Sequence, residues 1–81
     1  MNEQKIRDVL AAHARLATDA ATIGVSDDLY EAGMTSHASV NVMLALEDAF
    51  DVEFPDELLR RATFQTIADI DAAVSGLLAE V

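Results

Sequence analysis

The fold is decided by residues 28–55, which read DLYEAGMTSHASVNVMLALEDAFDVEFP in single-letter code. Gly33 lies near the start of this stretch and suits a backbone with positive φ just before a helix. A helical run follows from Ser36 to Phe50, and Pro55 is well placed at the start of a further short helix. We therefore predict a helix over Ser36–Phe50 that begins directly after a turn.

The flanking sequence predicts two more long helices and no strand. The first runs over residues 3–17 with Asn2 as its N-cap, and the last runs from Phe64 to about Ala79 with Thr63 as its N-cap. A long connection, residues 18–35, joins the first two helices. The predicted inward residues are Ile6, Val9, Leu10, His13 and Leu16 in the first helix, Ile23, Val25, Leu29 and Tyr30 in the connection, and Phe64, Ile67, Ile70, Val74 and Leu77 or Leu78 in the last helix.

These elements predict an all-α bundle of three main helices plus one short helix, in a single domain of residues 1–81. The chain has no cysteine, so any thiol has to arrive on a prosthetic group. Its first residues lack the apolar core of a signal peptide, and no apolar run approaches the length of a membrane span. We expect a soluble, cytoplasmic monomer that contacts no membrane.

The charge is strongly negative and unevenly distributed. The formal net charge is −10, and between Leu16 and Leu59 there is no lysine or arginine, although acidic residues accumulate there. Such a field repels nucleic acid and attracts basic protein surfaces. Acidity is also a common solubility device, but here the acids flank Ser36, which favours the steering of protein partners.

The second helix has an apolar strip on the side away from its predicted core. A projection at about 100° per residue gathers Ser39, Val42, Met43, Leu46, Ala49 and Phe50 on the core side. Val40 and Leu44 then fall on nearly the opposite side, with His37 one turn back and Asn41, Glu47 and Asp48 along the border. Isolated exposed apolar residues are common, but an apolar strip framed by acids is typical of a docking surface. The predicted docking residues are Thr35, His37, Val40, Asn41, Leu44, Glu47 and Asp48.

Ser36 lies where the first N–H groups of a helix favour an anion. By position alone, a serine at this place is either a helix N-cap or a modified residue. A catalytic nucleophile is disfavoured, because the adjacent His37 points in a different direction and no Gly-x-Ser-x-Gly elbow is present. We therefore predict no catalytic residue and no enzyme activity.

A metal site is disfavoured as well. His13 has no second histidine or group of carboxylates at metal-ligand spacing. Residues 51–53 lack the alternating acids and the central glycine of a calcium-binding loop. We predict no bound metal.

Four features in order resemble the central motif of acyl carrier proteins: D-L-x-x-x-G at 28–33, Ser36, A-L-E at 45–47 and D-x-E-x-P at 51–55. The resemblance implies an acyl-carrier-like bundle in which Ser36 carries 4'-phosphopantetheine and the second helix is the main recognition element. It further implies a phosphopantetheinyl transferase that moves this group from coenzyme A.

Two positions depart from the fatty-acid carriers, which most often have Asp before the modified serine and Leu after it. Here they are Thr35 and His37, and residues 33–40 resemble stand-alone carriers loaded by amino acid:carrier protein ligases, which are similar to seryl-tRNA synthetases. The resemblance implies a small amino acid as cargo, glycine or alanine, and an unknown downstream acceptor enzyme. The alternatives are a carrier of fatty-acid or polyketide-type acyl groups and an acidic helical adaptor without a prosthetic group.

Overall fold

Three α-helices and two short 3-10 helices form the fold in a computed structural model, which describes residues 2–17 and 19–79. They are α1 (Glu3–His13), α2 (Ser36–Phe50), 3-10 helices at Asp56–Leu58 and Arg61–Phe64, and α3 (Ile67–Ala79). No strand occurs in these two ranges, and the predicted bundle is confirmed. The outermost residues of the predicted domain (1, 80 and 81), and Thr18, the predicted first residue of the connection, lie outside the described residues.

The core lies where α1 packs against both α2 and α3. Its eight largest fully buried side chains are Ile6, Leu10, Leu29, Val42, Leu46, Ile67, Ile70 and Val74. Burial of one such side chain stabilises a fold by about 1.5–3 kcal/mol relative to leaving it in water. Among the described helices, none is long and apolar enough to cross a membrane.

The first helix is shorter than predicted and ends at His13 instead of residue 17. Arg15 takes a left-handed backbone with φ of 55°, which turns the chain out of the helix. Ala14 is buried instead of His13, so the prediction that His13 faces inward is wrong. Asn2 flanks the helix start, but its side chain makes no capping hydrogen bond there.

The connection between α1 and α2 has no regular secondary structure over residues 19–35, yet it is hydrogen-bonded to the helical parts of the fold. The Arg7 guanidinium donates to the carbonyl oxygens of Ala20 (2.7 Å) and Ile23 (2.6 Å). The backbone N–H of Leu29 donates to the carbonyl oxygen of Gln65 at 2.7 Å. An irregular segment can lie against a core only if its backbone N–H and C=O groups are hydrogen-bonded, because unpaired ones away from water cost free energy.

Three of the four predicted apolar anchors of the connection contribute to packing. Ile23 and Leu29 are buried and Tyr30 is half-buried. Val25 is 39% exposed, so its predicted inward position is wrong. Its contribution comes from the backbone, because its carbonyl oxygen accepts from the N–H of Ala68 at 3.0 Å.

The last helix begins later than predicted. Thr66, and not Thr63, caps it, because the Thr66 hydroxyl accepts from the backbone N–H of Asp69 at 3.0 Å. Phe64 belongs to the preceding 3-10 helix, and its ring lies 5.4 Å from that of Phe54, centroid to centroid. This buried aromatic pair holds the segment after α2 against the bundle. Near the end of α3, Leu77 is half-buried.

Candidate functional site

The turn before α2 presents Ser36 at the first helical position. Gly33 has φ of +122°, as predicted, and Met34 after it is buried. Thr35 is extended, and its hydroxyl oxygen accepts from the backbone N–H of Ala38 at 3.0 Å. Thr35 is therefore the N-cap, and the alternative in which Ser36 serves only as the cap is wrong. Ser36 is exposed.

The start of α2 is suited to an anion. Unpaired N–H groups and the helix dipole give the first turn of a helix a partial positive charge. The first turn of α2 contains no acidic residue. Because Thr35 supplies a neutral cap where fatty-acid carriers most often have a carboxylate, neither the cap nor the first turn of α2 places a negative charge at this end of the helix.

The predicted docking residues lie on the outer side of α2, with one exception. Val40 and Leu44 are 51% and 53% exposed. The other exposed members are Thr35, His37, Asn41 and Asp48. Glu47 is half-buried, and its carboxylate accepts from the backbone N–H of Phe54 at 2.9 Å. Glu47 therefore stabilises the turn after α2, a role that its acidic character alone did not indicate.

The inner side of α2 differs from the projection at two residues, Ala38 and Ser39. Val42 and Leu46 are buried as predicted, and Ala38 joins them. Ser39 was predicted to face the core and does not, because its hydroxyl donates to the carbonyl oxygen of Ser36 at 2.6 Å. This hydrogen bond satisfies the polar group on the helix itself, and it leaves Ser39 on the same side as Ser36.

A cleft of about 350 Å³ opens beside Ser36. One wall is formed by the face of α2 that contains Ser36, Ser39, Val40 and Met43. Met43 is half-buried, so its side chain contributes both to the core and to this wall. The cleft therefore combines the exposed Ser36 with apolar side chains of the same helix.

The opposite wall comes from two distant segments of the chain. It consists of Tyr30 together with Leu59, Arg60, Arg61 and Phe64. The guanidinium carbon of Arg61 lies 3.8 Å from the centroid of the Tyr30 ring, and the Tyr30 hydroxyl donates to the Arg61 carbonyl oxygen at 3.2 Å. Two separate contacts thus join these residues across the connection and the 3-10 helix.

Asp28 fixes the backbone that leads to Tyr30. Its carboxylate accepts from the Tyr30 N–H (2.9 Å), the Glu31 N–H (3.3 Å) and the Gln65 side-chain amide (3.0 Å). Partial desolvation acts to raise the pKa of Asp28, but the hydrogen bond from Gln65, those from the two backbone N–H groups and the charge of Arg61 outweigh it. The pKa of Asp28 is therefore lowered from its ordinary value of 3.8.

The cleft itself was not foreseen from the sequence. The projection places Ser39 and Met43 on the core side of α2, and no role is predicted for Arg60 and Arg61. One signal was present, because these two arginines are the only basic residues, lysine or arginine, after Arg15. Two isolated arginines in an acidic chain are candidates for a functional role, but only the packed structure shows that they lie beside Ser36.

Comparison with known proteins identifies the family. Residues 4–74 match the family described as the phosphopantetheine attachment site, and the chain belongs to this family. It is 48% identical over 73 residues to the aminoacyl carrier protein of Agrobacterium fabrum, a match that covers 90% of this chain and 88% of that protein. The predicted family and prosthetic group are thereby confirmed.

Solved structures agree with this assignment. One is the crystal structure of an engineered Bradyrhizobium japonicum glycine:[carrier protein] ligase complexed with carrier protein from Agrobacterium tumefaciens and AMP. The match has a TM-score of 0.88 and 46% identity, and it covers 90% of this chain and 97% of that chain. A second is the B. japonicum ligase complexed with glycylated carrier protein, with a TM-score of 0.76 and 25% identity over 89% of this chain and 96% of that chain.

Proposed function

We propose that this domain carries a 4'-phosphopantetheine arm on Ser36 and presents a small amino acid, glycine or alanine, to partner enzymes. The observation that carries the proposal is the division of roles at the start of α2. Thr35 supplies the helix cap, and the hydroxyl of Ser36 is exposed beside a cleft. A serine placed in this way is accessible to modification without loss of a capping hydrogen bond.

The residues around Ser36 fit a group attached through a phosphodiester. Ser36 supplies the oxygen, and the first turn of α2 has no carboxylate to repel the phosphate. The adjoining cleft of about 350 Å³ leaves room beside the attachment point. When bound, the group supplies a thiol on which a cargo is held as a thioester, and this chain has no cysteine of its own.

The cargo and the partners are proposed from the relatives. The A. fabrum protein is an aminoacyl carrier, and the similar carrier chains occur in complexes with glycine:[carrier protein] ligase. We therefore propose three partners: a phosphopantetheinyl transferase, an amino acid:carrier protein ligase and an acceptor enzyme that receives the cargo. In this scheme the domain itself performs no catalysis. Attachment raises the effective concentration of the cargo at each partner.

We further propose that partners dock on the exposed outer side of α2 together with the half-buried Glu47 at its border; this surface is here called the docking face and consists of Thr35, His37, Val40, Asn41, Leu44, Glu47 and Asp48. Val40 and Leu44 leave about half of their surface exposed, which suits them as apolar anchors. Asp48 supplies an exposed negative charge at the border. A small apolar centre with a charged border is suited to weak and rapidly exchanging contacts.

The attachment is tested by the intact mass of the protein after treatment with coenzyme A and a broad-specificity transferase. We expect the parent protein to gain one phosphopantetheine and Ser36→Ala to gain none. Ser39→Ala is the matched control, because Ser39 offers a second hydroxyl on the same wall of the cleft. Modification that persists in Ser36→Ala but disappears in Ser39→Ala would move the attachment site to Ser39.

The cargo is tested on the modified protein with two competing loading systems. A glycine:[carrier protein] ligase with ATP and glycine should add the mass of a glycyl group, whereas a malonyl or long-chain acyl loading enzyme should add little. The unmodified protein should accept nothing from either system. Efficient acyl loading without glycylation would favour an acyl carrier, and partner binding that does not depend on modification would favour a helical adaptor.

A further inference from the structure

We infer that Arg61 binds the phosphate of the group attached to Ser36, so that the opposite wall of the cleft positions the arm. The inference rests on the proposed function, because the phosphate is present only if Ser36 is modified. It adds a residue that is separated from the serine by 25 positions in the sequence and that lines the same cleft.

The charge distribution supports this role. Arg60 and Arg61 are the only lysine or arginine residues after Arg15 in a chain of net charge −10. A phosphodiester adds one more negative charge, which the acidic surface would repel. Both arginines line the cleft that Ser36 borders. The added phosphate would therefore share this cleft with the only lysine or arginine residues that follow Arg15 in the sequence.

Two contacts distinguish Arg61 from Arg60. The guanidinium of Arg61 lies over the Tyr30 ring with its carbon 3.8 Å from the centroid, in a cation–π contact. The N–H donors of a guanidinium lie in its plane and match two phosphate oxygens in a fork. Arg60 instead donates its Nε–H to the carbonyl oxygen of Glu57 at 2.8 Å.

Hydrogen bonds fix the position of Tyr30, and Tyr30 in turn restrains Arg61. Its hydroxyl donates to the carbonyl oxygen of Arg61, and its backbone N–H donates to the Asp28 carboxylate. Asp28 in turn accepts from the side chain of Gln65. An anion that contacts Arg61 therefore meets a side chain whose position is restrained, and less conformational entropy is lost on contact.

The test is ³¹P NMR of the modified protein, in which the transverse relaxation of the phosphodiester signal reports how firmly the phosphate is held. Arg61→Gln removes one positive charge at an exposed position. Arg60→Gln is the matched control, because it removes one positive charge from the neighbouring exposed residue that lines the same cleft. We expect Arg61→Gln to lower the ratio of held to free phosphate by a factor of about 1.4 to 5, the range for an exposed charged pair. Arg60→Gln should relax like the parent protein.

The outcomes separate this inference from the proposed function. Intact mass shows whether Ser36 is modified in each variant, and circular dichroism shows whether the helices are retained. If all three proteins are modified and their phosphate signals relax alike, the role of Arg61 is wrong and the carrier function stands. If the phosphate signal shows the same loss of holding in both variants, the effect comes from the positive charge of the cleft in general, and the specific contact with Arg61 is wrong. If Ser36 in the parent protein accepts no group, both proposals fall.

Discussion

At the scale of single residues, Thr35 and Ser36 show how neighbouring hydroxyl groups take different roles. Thr35 lies just outside the helix, where a side-chain oxygen reaches the N–H of the residue three positions on, and it caps Ala38. Ser36 lies one residue later, inside the first turn. The sequence predicted the importance of Ser36, but not that Thr35 would carry the cap.

Removal of the cap should lower stability without changing the residue that is modified. Thr35→Ala loses the hydrogen bond to the Ala38 N–H, and we expect the free energy of unfolding to fall by about 1 kcal/mol. Thr35→Ser keeps the hydroxyl and should lose much less. Urea unfolding of both variants measures the difference, and equal stability of Thr35→Ala and the parent would show that the cap contributes nothing.

Asp28 predicts a dependence of stability on pH. Because the pKa of its carboxyl is lowered in the folded protein, the unfolded chain takes up the proton first as the pH falls. The stabilisation from Asp28 is thus fully present above its ordinary pKa of 3.8 and is lost as the pH drops through the lower folded value.

Asp28→Asn should remove this contribution. The loss of stability between about pH 5 and pH 2 should be shallower in the variant than in the parent, and the two should converge at the acidic end. Thermal unfolding at a series of pH values measures this. The control is Asp8→Asn, a change at an exposed acid on α1 that accepts from the Gln4 side chain. Parallel curves for Asp28→Asn and the parent would contradict the prediction.

At the scale of elements, the sequence predicts correctly those features that are set by residues close together in the chain. Both ends of α2 were predicted, because the turn at Gly33 and the acidic exit at residues 51–55 lie next to the helix. The end of α1 was missed, since it depends on a left-handed conformation at Arg15 that arginine rarely adopts. The cleft was missed because its walls come from residues that only tertiary packing brings together.

Two glycines offer a matched test of the turn and the helix. Gly33→Ala should lower stability by about 1–3 kcal/mol, because a residue with Cβ at a φ of +122° is strained. Its added Cβ would also lie 3.0 Å from the backbone nitrogen of Ala17. Gly76→Ala in α3 meets no atom within 4 Å and should raise stability by about 0.5–1 kcal/mol. Urea unfolding measures both, and a neutral Gly33→Ala would show that the turn relaxes freely.

At the scale of the whole molecule, the charge pattern sets how partners approach. Every lysine and arginine lies before Leu16 or after Leu59, and acidic residues occupy the sequence between them, including α2. Such a surface accelerates the encounter with a basic partner more than it tightens the final complex. The expected signature is a rate of association that falls as salt is added.

Asp48→Lys should slow the association of the carrier with its ligase, and added salt should do the same to the parent protein. Leu44→Ala should instead speed dissociation and weaken the complex by about 1 kcal/mol or more if Leu44 is an anchor. Surface plasmon resonance or stopped-flow binding separates the two rates. Both residues are exposed, so urea unfolding should show little change in stability.

Glu47→Lys serves as the contrast. Its carboxylate accepts from the N–H of Phe54, so charge reversal should lower stability as well as the association rate. If Glu47→Lys keeps the stability of the parent, the hydrogen bond to Phe54 contributes nothing. If Asp48→Lys leaves association unchanged at low salt, the docking face lies elsewhere.

The hydrogen bonds of the connection between α1 and α2 have a consequence for cooperativity. Arg7 joins the connection to α1, the N–H of Ala17 donates to the carbonyl oxygen of Ala32, and Leu29 and Val25 pair with Gln65 and Ala68. A segment tied at both edges cannot open by itself without breaking bonds to two helical regions. We therefore expect the connection to unfold together with the helices in one all-or-none transition, so that the turn that presents Ser36 keeps its conformation for as long as the core stays folded.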